Sequence, residues 1–210
     1  LEESRFSVSD YYCIFIGSFN CQQARFFNQT VNEICKLMLL KPAPNKIPAY
    51  LIQDNGIFPN SVLPVLLYKA VFLLPNDHSP GLIETVFENH NWSNSWRNGI
   101  YTYNHYHSLT HEVMGIYSGD CHILLGGDSG IQLLLERGDV LLIPAGVAHK
   151  NIGSTVNFKC IGAYPDGKDF DINLGKSGER PKTDQHIKKV PIPKLDPVYG
   201  REACLSKYWI

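Results

Sequence analysis

Between Gly99 and Tyr164 the apolar pattern alternates every second residue and is cut at short intervals by turn residues. The runs are Gly99–His107, His111–Ser118, Cys121–Leu125, Ile131–Glu136, Val140–Ile143, Val147–Ile152 and Val156–Ala163. Ser118-Gly-Asp120, Gly126-Gly-Asp-Ser-Gly130 and Arg137-Gly-Asp139 separate several of them. A period of two places alternate side chains on opposite faces, so each run reads as a half-buried strand. Many short strands at close spacing leave an antiparallel sandwich or barrel as the economical solution, an all-β fold.

The flanks are less regular. The apolar run Pro64–Leu74 is expected to join the same sheets. One helical signal stands in the chain's middle: Ser79-Pro80 offers an N-cap and a first-turn proline, and Leu82, Ile83, Val86 and Phe87 form a stripe at helical spacing. Residues 1–46, with a short amphipathic segment at Gln22–Leu40 and a proline-rich break at 41–48, read as an N-terminal extension. Residues 47–210 read as a single domain, with its barrel core at about 99–164. The tail, 165–210, is rich in Gly, Pro and charge and is expected to wrap the barrel, anchored by Tyr208 and Trp209.

Composition closes off several classes. With 20 acidic against 19 basic side chains and no basic block, there is no electrostatic footprint for nucleic acid. The longest apolar stretches fall far short of the roughly 20 residues of a membrane-spanning helix, so a soluble chain is expected. Glu2 and Glu3 oppose a secretory start, and six cysteines without a Cys-x-x-Cys pair suit small apolar residues in a reducing, cytoplasmic setting.

Three histidines and a glutamate carry the chemistry. His105 and His107 are two apart on an expected strand and so share a face. Glu112 follows a short turn, and His149 comes straight after Pro144-Ala-Gly146. Three imidazoles and one carboxylate suit one divalent metal ion (Fe, Mn, Zn or Ni) with open coordination positions. His111, beside Glu112, should point the other way, to the surface or behind the ligands.

Gly99-x5-His105-x-His107-x4-Glu112-x6-Gly119 resembles the first motif of the cupin superfamily, and Gly138-x5-Pro144-x-Gly146-x2-His149 resembles the second. One position departs: Gly153 stands where the second motif often ends in Asn. The resemblance implies a jelly-roll barrel, or double-stranded β-helix, with a metal held by His105, His107, Glu112 and His149. Segments 92–99, 162–165, 178–181 and 196–200 are similar to a group of small single-domain cupins whose function is not established. Gly119, Gly138 and Gly146 read as turn glycines within the motifs.

Strand alternation extends the site. If His105 and His107 face inward, so do Tyr101 and Tyr103, either as pocket wall or as core; Met114 and Ile116 share the face of Glu112, and Val147 and Arg97 complete a small-molecule pocket. Two classes of function remain. One is a metal-dependent enzyme on a small organic molecule, performing oxygen-dependent oxidation or isomerase/lyase chemistry, with Glu112 as base and Tyr103 as proton donor. The other is a non-catalytic sensor or storage protein. The expected partner is a small-molecule ligand, with homodimer formation left open and neither nucleic acid nor membrane expected.

Overall fold

Both faces of the larger β-sheet are buried, and this decides how the rest of the chain is laid down. The computed structural model describes residues 40–74, 79–201 and 204–210, with the side chain of Ser79 excepted. The expected segment Gln22–Leu40, apart from its last residue, and Cys13, Cys21 and Cys35 lie outside them. The described residues belong to one unit, Leu40–Ile210. In chain order its elements are β1 (Ala49–Tyr50), β2 (Val65–Tyr68), α1 (Ser79–Asn89), β3 (Trp92–Asn98), β4 (Glu112–Ser118), β5 (Asp120–Leu125), β6 (Ile131–Glu136), β7 (Val140–Ile143), β8 (His149–Ser154), β9 (Lys159–Pro165), α2 (Lys182–Ile187) and α3 (Leu205–Tyr208).

The strands form two antiparallel sheets, one ordered β1-β2-β7-β4-β9-β3 and the other β6-β5-β8. Alternation sorts the large sheet's side chains cleanly. Val65, Leu67, Met114, Ile116, Leu141 and Ile143 point inward and pack with Cys121, Ile123, Leu125 and Leu135 of the small sheet. Leu66, Tyr68, Val113, Val140, Leu142, Ile161 and Ala163 point outward, yet they too are covered, by Ile83, Val86 and Phe87 of α1 and by Val198, Leu205 and Trp209 of the tail. The two sheets facing each other make the jelly-roll barrel, mainly β, that the resemblance implied. Among the described residues no helix is long and apolar enough to cross a membrane.

Two expectations need correction. Gly99–His107 is not a strand: only isolated bridges, His105 to His149 and Tyr106 to Asn173, tie it to its neighbours. The strand on this side is the preceding segment, β3. It is polar, lies at the sheet edge, and is bulged between Ser93 and Trp96, where Asn94 adopts φ 57°. The bulge breaks the period of two, and polar side chains fill most of the strand, so no alternating apolar signal marks it. Among the described residues there are three short helices, of which only α1 was signalled by the sequence; α2 and α3 lie in the tail, where none was expected.

Side-chain hydrogen bonds hold that tail in place. The Tyr208 hydroxyl both accepts from the Ile47 N–H and donates to its carbonyl, each at 3.0 Å, and Trp209 Nε1 donates to Pro64 at 2.8 Å. Asp196 is fully buried. Its carboxylate accepts the Tyr68 hydroxyl at 2.7 Å and the backbone N–H groups of Val198, Tyr199 and Leu205 at 2.8–3.0 Å. Removing that acceptor strands several buried donors at once. We expect Asp196→Ala to lower unfolding stability by about 3 kcal/mol in urea titrations, whereas a loss under about 1 kcal/mol would show packing alone to hold the tail.

Candidate metal centre

His149 opens β8 immediately after a turn that only glycine can make. Gly146 has φ +92°, and a Cβ there would come within 2.2 Å of the Asn60 carbonyl oxygen. The Gly146 N–H donates to the His107 carbonyl at 2.8 Å, so the turn is tied to the opposite ligand segment. His105 and His149 exchange backbone hydrogen bonds at 3.2 and 2.9 Å. That bridge places their rings side by side, with centroids 4.1 Å apart, and His107 stands 5.5–5.6 Å from both. All three histidines are buried, and each offers a ring nitrogen within 4.8 Å of the others.

The direction of those rings follows from their other nitrogens. Nδ1 of His105 faces the Tyr103 carbonyl at 3.3 Å, that of His107 the Asp171 carbonyl at 2.5 Å, and that of His149 the Val147 carbonyl at 3.1 Å. A carbonyl oxygen can only accept, so Nδ1 carries the proton and, in the neutral ring, Nε2 presents a lone pair inward. Asp171 is itself held, its carboxylate accepting the N–H groups of Ser108 and Leu109, the Ser108 hydroxyl and the Asn173 amide.

Glu112, the first residue of β4, brings Oε2 to 3.3 Å from Nε2 of both His107 and His149. This buried oxygen has no hydrogen-bond partner. Three imidazole lone pairs and an anionic oxygen converge with no protein donor between them, an arrangement that favours a cation, a proton or a water at their centre. A divalent cation therefore fits the residues present. The charges agree. Burial, together with neighbouring His149 and His107, pushes His105 down to about 3. Against the pull of burial, Glu112 raises His107, and the two histidines hold the Glu112 carboxyl well below the usual range.

A cavity of about 290 Å³ opens above the histidines, walled by Trp96, Ile100, Tyr101, Met114, Tyr164 and Phe170. The proposed pocket residues distribute unevenly around it. Met114 lines the cavity, Tyr101 lines it while half-exposed, and Arg97 sits on the rim with Nε donating to Glu84 Oε1 at 3.1 Å. Ile116 and Val147 pack in the barrel core instead. Tyr103 does not face inward as alternation suggested: it is 46% exposed and stacks on Tyr101 at 4.8 Å, because the segment carrying both is not a strand.

The phenol that reaches Glu112 belongs to Tyr164, whose hydroxyl donates to Oε1 at 3.1 Å. Sequence reasoning gave it no role, although Gly162–Pro165 and Trp92–Gly99, which hold Tyr164 and Trp96, had been singled out by their resemblance. His111 stands outside the histidine cluster, and of its two expected places it takes the inner one. It is buried, not superficial, accepting the Ala145 N–H at Nδ1 (2.9 Å) and packing on Trp209 with ring centroids 4.6 Å apart. Cys121, Cys160 and Cys204 are free and buried, and none belongs to the histidine cluster.

No family model matches the chain. Among curated protein sequences it is similar to the "Uncharacterized protein YjlB" of Bacillus subtilis (strain 168), 36% identical over 162 residues, which are 77% of this chain and 95% of the relative. Among solved structures, procruciferin, the 11S globulin of Brassica napus, matches 38% of this chain and 21% of its own length at 19% identity and a TM-score of 0.32. A DUF861 family protein from Thermotoga maritima matches 47% of this chain and 96% of its own at 20% identity and a TM-score of 0.30. The 11S allergen from Cocos nucifera matches 71% of this chain and 42% of its own at 13% identity and a TM-score of 0.33. The chain spans about a fifth of the procruciferin chain and less than half of the coconut one.

Burial makes the metal-free site sensitive to acid. His111 is pushed down to about 4 by burial, against 6.5 in an unfolded chain. As pH falls, the unfolded chain takes the proton first, so this contribution is complete above pH 6.5 and is lost on the way to pH 4. His105 acts in the same direction, down to about 3, while raised His107 acts oppositely, contributing below 6.5 and losing its contribution as pH rises through its folded value. Unfolding titrations of metal-free protein should show stability falling with acid, and His111→Asn should reduce that slope by up to ~1.4 kcal/mol per pH unit. An unchanged slope would remove His111 from the acid response.

Proposed function

The chain belongs to the family of the Bacillus subtilis protein YjlB, and from that footing we propose that it is a metal-dependent enzyme acting on a small organic molecule at the His105–His107–His149 cluster. The observation that carries the reading is the shared orientation of the three rings, each held through Nδ1 by a backbone carbonyl so that Nε2 points at a common centre. Glu112 adds the fourth donor. A divalent ion bound there supplies a Lewis-acid or redox centre with open positions, which suits oxidation with dioxygen or isomerase/lyase chemistry on an enolisable carbonyl.

The protein's own groups divide the remaining work. The apolar wall of Ile100, Met114 and Phe170 limits water and orients a small ligand over the histidines. Glu112 Oε2 faces the centre without a hydrogen bond, so it serves as the ion's fourth ligand and takes a proton from a bound molecule only on moving aside from the ion. Tyr164, kept protonated by burial and by the adjacent carboxylate, connects the other oxygen of Glu112 to the cavity wall. Tyr103, to which the sequence assigned the proton donor's part, does not line the cavity.

Elemental analysis of protein purified near neutral pH should find about one divalent ion per chain, and His107→Ala should empty the site. Unchanged metal in that variant would place the site elsewhere. A second experiment separates enzyme from binder: a screen of keto acids, enols, catechols and sugars with Fe, Mn, Ni and Zn forms, recording oxygen uptake. Glu112→Gln, loaded with saturating metal, should lose about 10²–10⁴-fold in turnover if the carboxylate moves protons. Tight binding of one compound without turnover in any metal form would replace the enzyme by a sensor or storage function.

A further inference from the structure

The bulge in β3 turns Trp96 toward β9, opposite Gly162. A Cβ on Gly162 would lie 2.1 Å from the indole ring, so a residue without a side chain is what leaves the tryptophan its place. From there Trp96 Nε1 donates to the Tyr164 hydroxyl oxygen at 2.8 Å. An indole N–H can only donate. With that lone pair engaged, the Tyr164 proton is directed to Glu112 Oε1, 3.1 Å away. The phenol cannot easily swing aside: it is 1% exposed, stacked on Phe170 at 4.8 Å and edge-on to His107.

The chain of donors ends in an asymmetry. The two oxygens of a carboxylate are chemically equivalent, yet here Oε1 is engaged by Tyr164 and Oε2 is bare, 3.3 Å from two imidazole nitrogens. Without Tyr164, the carboxylate can rotate to present both oxygens to the centre or to turn toward His107 alone. We propose that Trp96 and Tyr164, admitted by Gly162, are positioning residues that hold Glu112 as a single-oxygen donor to the cation site and leave the remaining coordination positions open to a ligand. The inference rests on the metal reading above but concerns the geometry of one ligand, so the two can fail separately.

Cobalt(II) tests it, because visible absorption reports coordination number and geometry independently of turnover. Metal-free wild type, Tyr164→Phe and Trp96→Phe would be titrated with cobalt(II), following affinity and spectrum. Tyr164→Phe should bind about 10–100-fold more weakly, with shifted bands, as is typical when the partner of a ligand is removed. Trp96→Phe should move both readouts in the same direction by less, and if Tyr164→Phe does not fold, Trp96→Phe decides on those readouts. In a Glu112→Ala background, Tyr164→Phe should change neither affinity nor spectrum further. Wild-type affinity and spectrum in Tyr164→Phe, or an equal loss in the Glu112→Ala background, would overturn the proposal. Absence of cobalt binding by the wild type would overturn the metal reading and this one together.

Discussion

Four polar donors buried together at one end of a barrel create a desolvation problem, and much of the local structure answers it. Each imidazole has one nitrogen satisfied by a backbone carbonyl, and the carboxylate has one oxygen satisfied by a phenol. What remains unsatisfied points to a single place. Burying a polar atom without a partner costs on the order of 1–3 kcal/mol, so bare Glu112 Oε2 beside two imidazole nitrogens favours a cation, a proton or a water among them. The need for those carbonyls in turn accounts for the irregular backbone around the site. Residues 99–104 do not form a strand, and the Phe170–Asn173 segment packs against His107 and delivers the carbonyl its ring requires.

The barrel makes such an end possible because its larger sheet is anchored on both faces. Inward side chains pack against the small sheet, and outward ones are sealed by α1 and the tail. With two hydrophobic interfaces holding β4, β7 and β9, the residues at their margins are free to serve chemistry. Glu112 begins β4 and Tyr164 stands near the end of β9, on paired strands where neighbouring side chains come close. The result is a rigid scaffold with a small cavity of mixed character at its rim. That combination suits recognition of a small molecule and leaves its identity to the polar groups on the wall.

Period-two runs and turn glycines were legible in the sequence because each reflects a local rule. β6 and β7 have the bounds the alternation predicted, since Ile131–Glu136 and Val140–Ile143 are short and sharply bounded by turns. Gly119, Gly138 and Gly146 all take positive φ, as turn glycines should. The histidine cluster was legible for a different reason: the resemblance linked two distant motifs that periodicity alone could not have joined. β3 was not legible, because a bulged, polar edge strand carries no alternating signal. Tyr103 was singled out, and Tyr164 given no role, because alternation was extended through a segment whose backbone serves the histidines rather than a ladder.

By itself, then, the sequence determined an antiparallel β architecture, the turns that separate its strands and the residue types able to gather at a metal. These depend on the chain's local periodicity, on backbone angles that only glycine adopts, and on donor chemistry. Tertiary structure alone decided which nitrogen of each histidine faces inward, which oxygen of Glu112 is left bare and which tyrosine touches it. Those choices rest on hydrogen bonds between residues far apart in the chain: His107 with Asp171, Trp96 with Tyr164, and Tyr164 with Glu112. No local pattern encodes such pairs, since their distances are set only when the two sheets close around a common core.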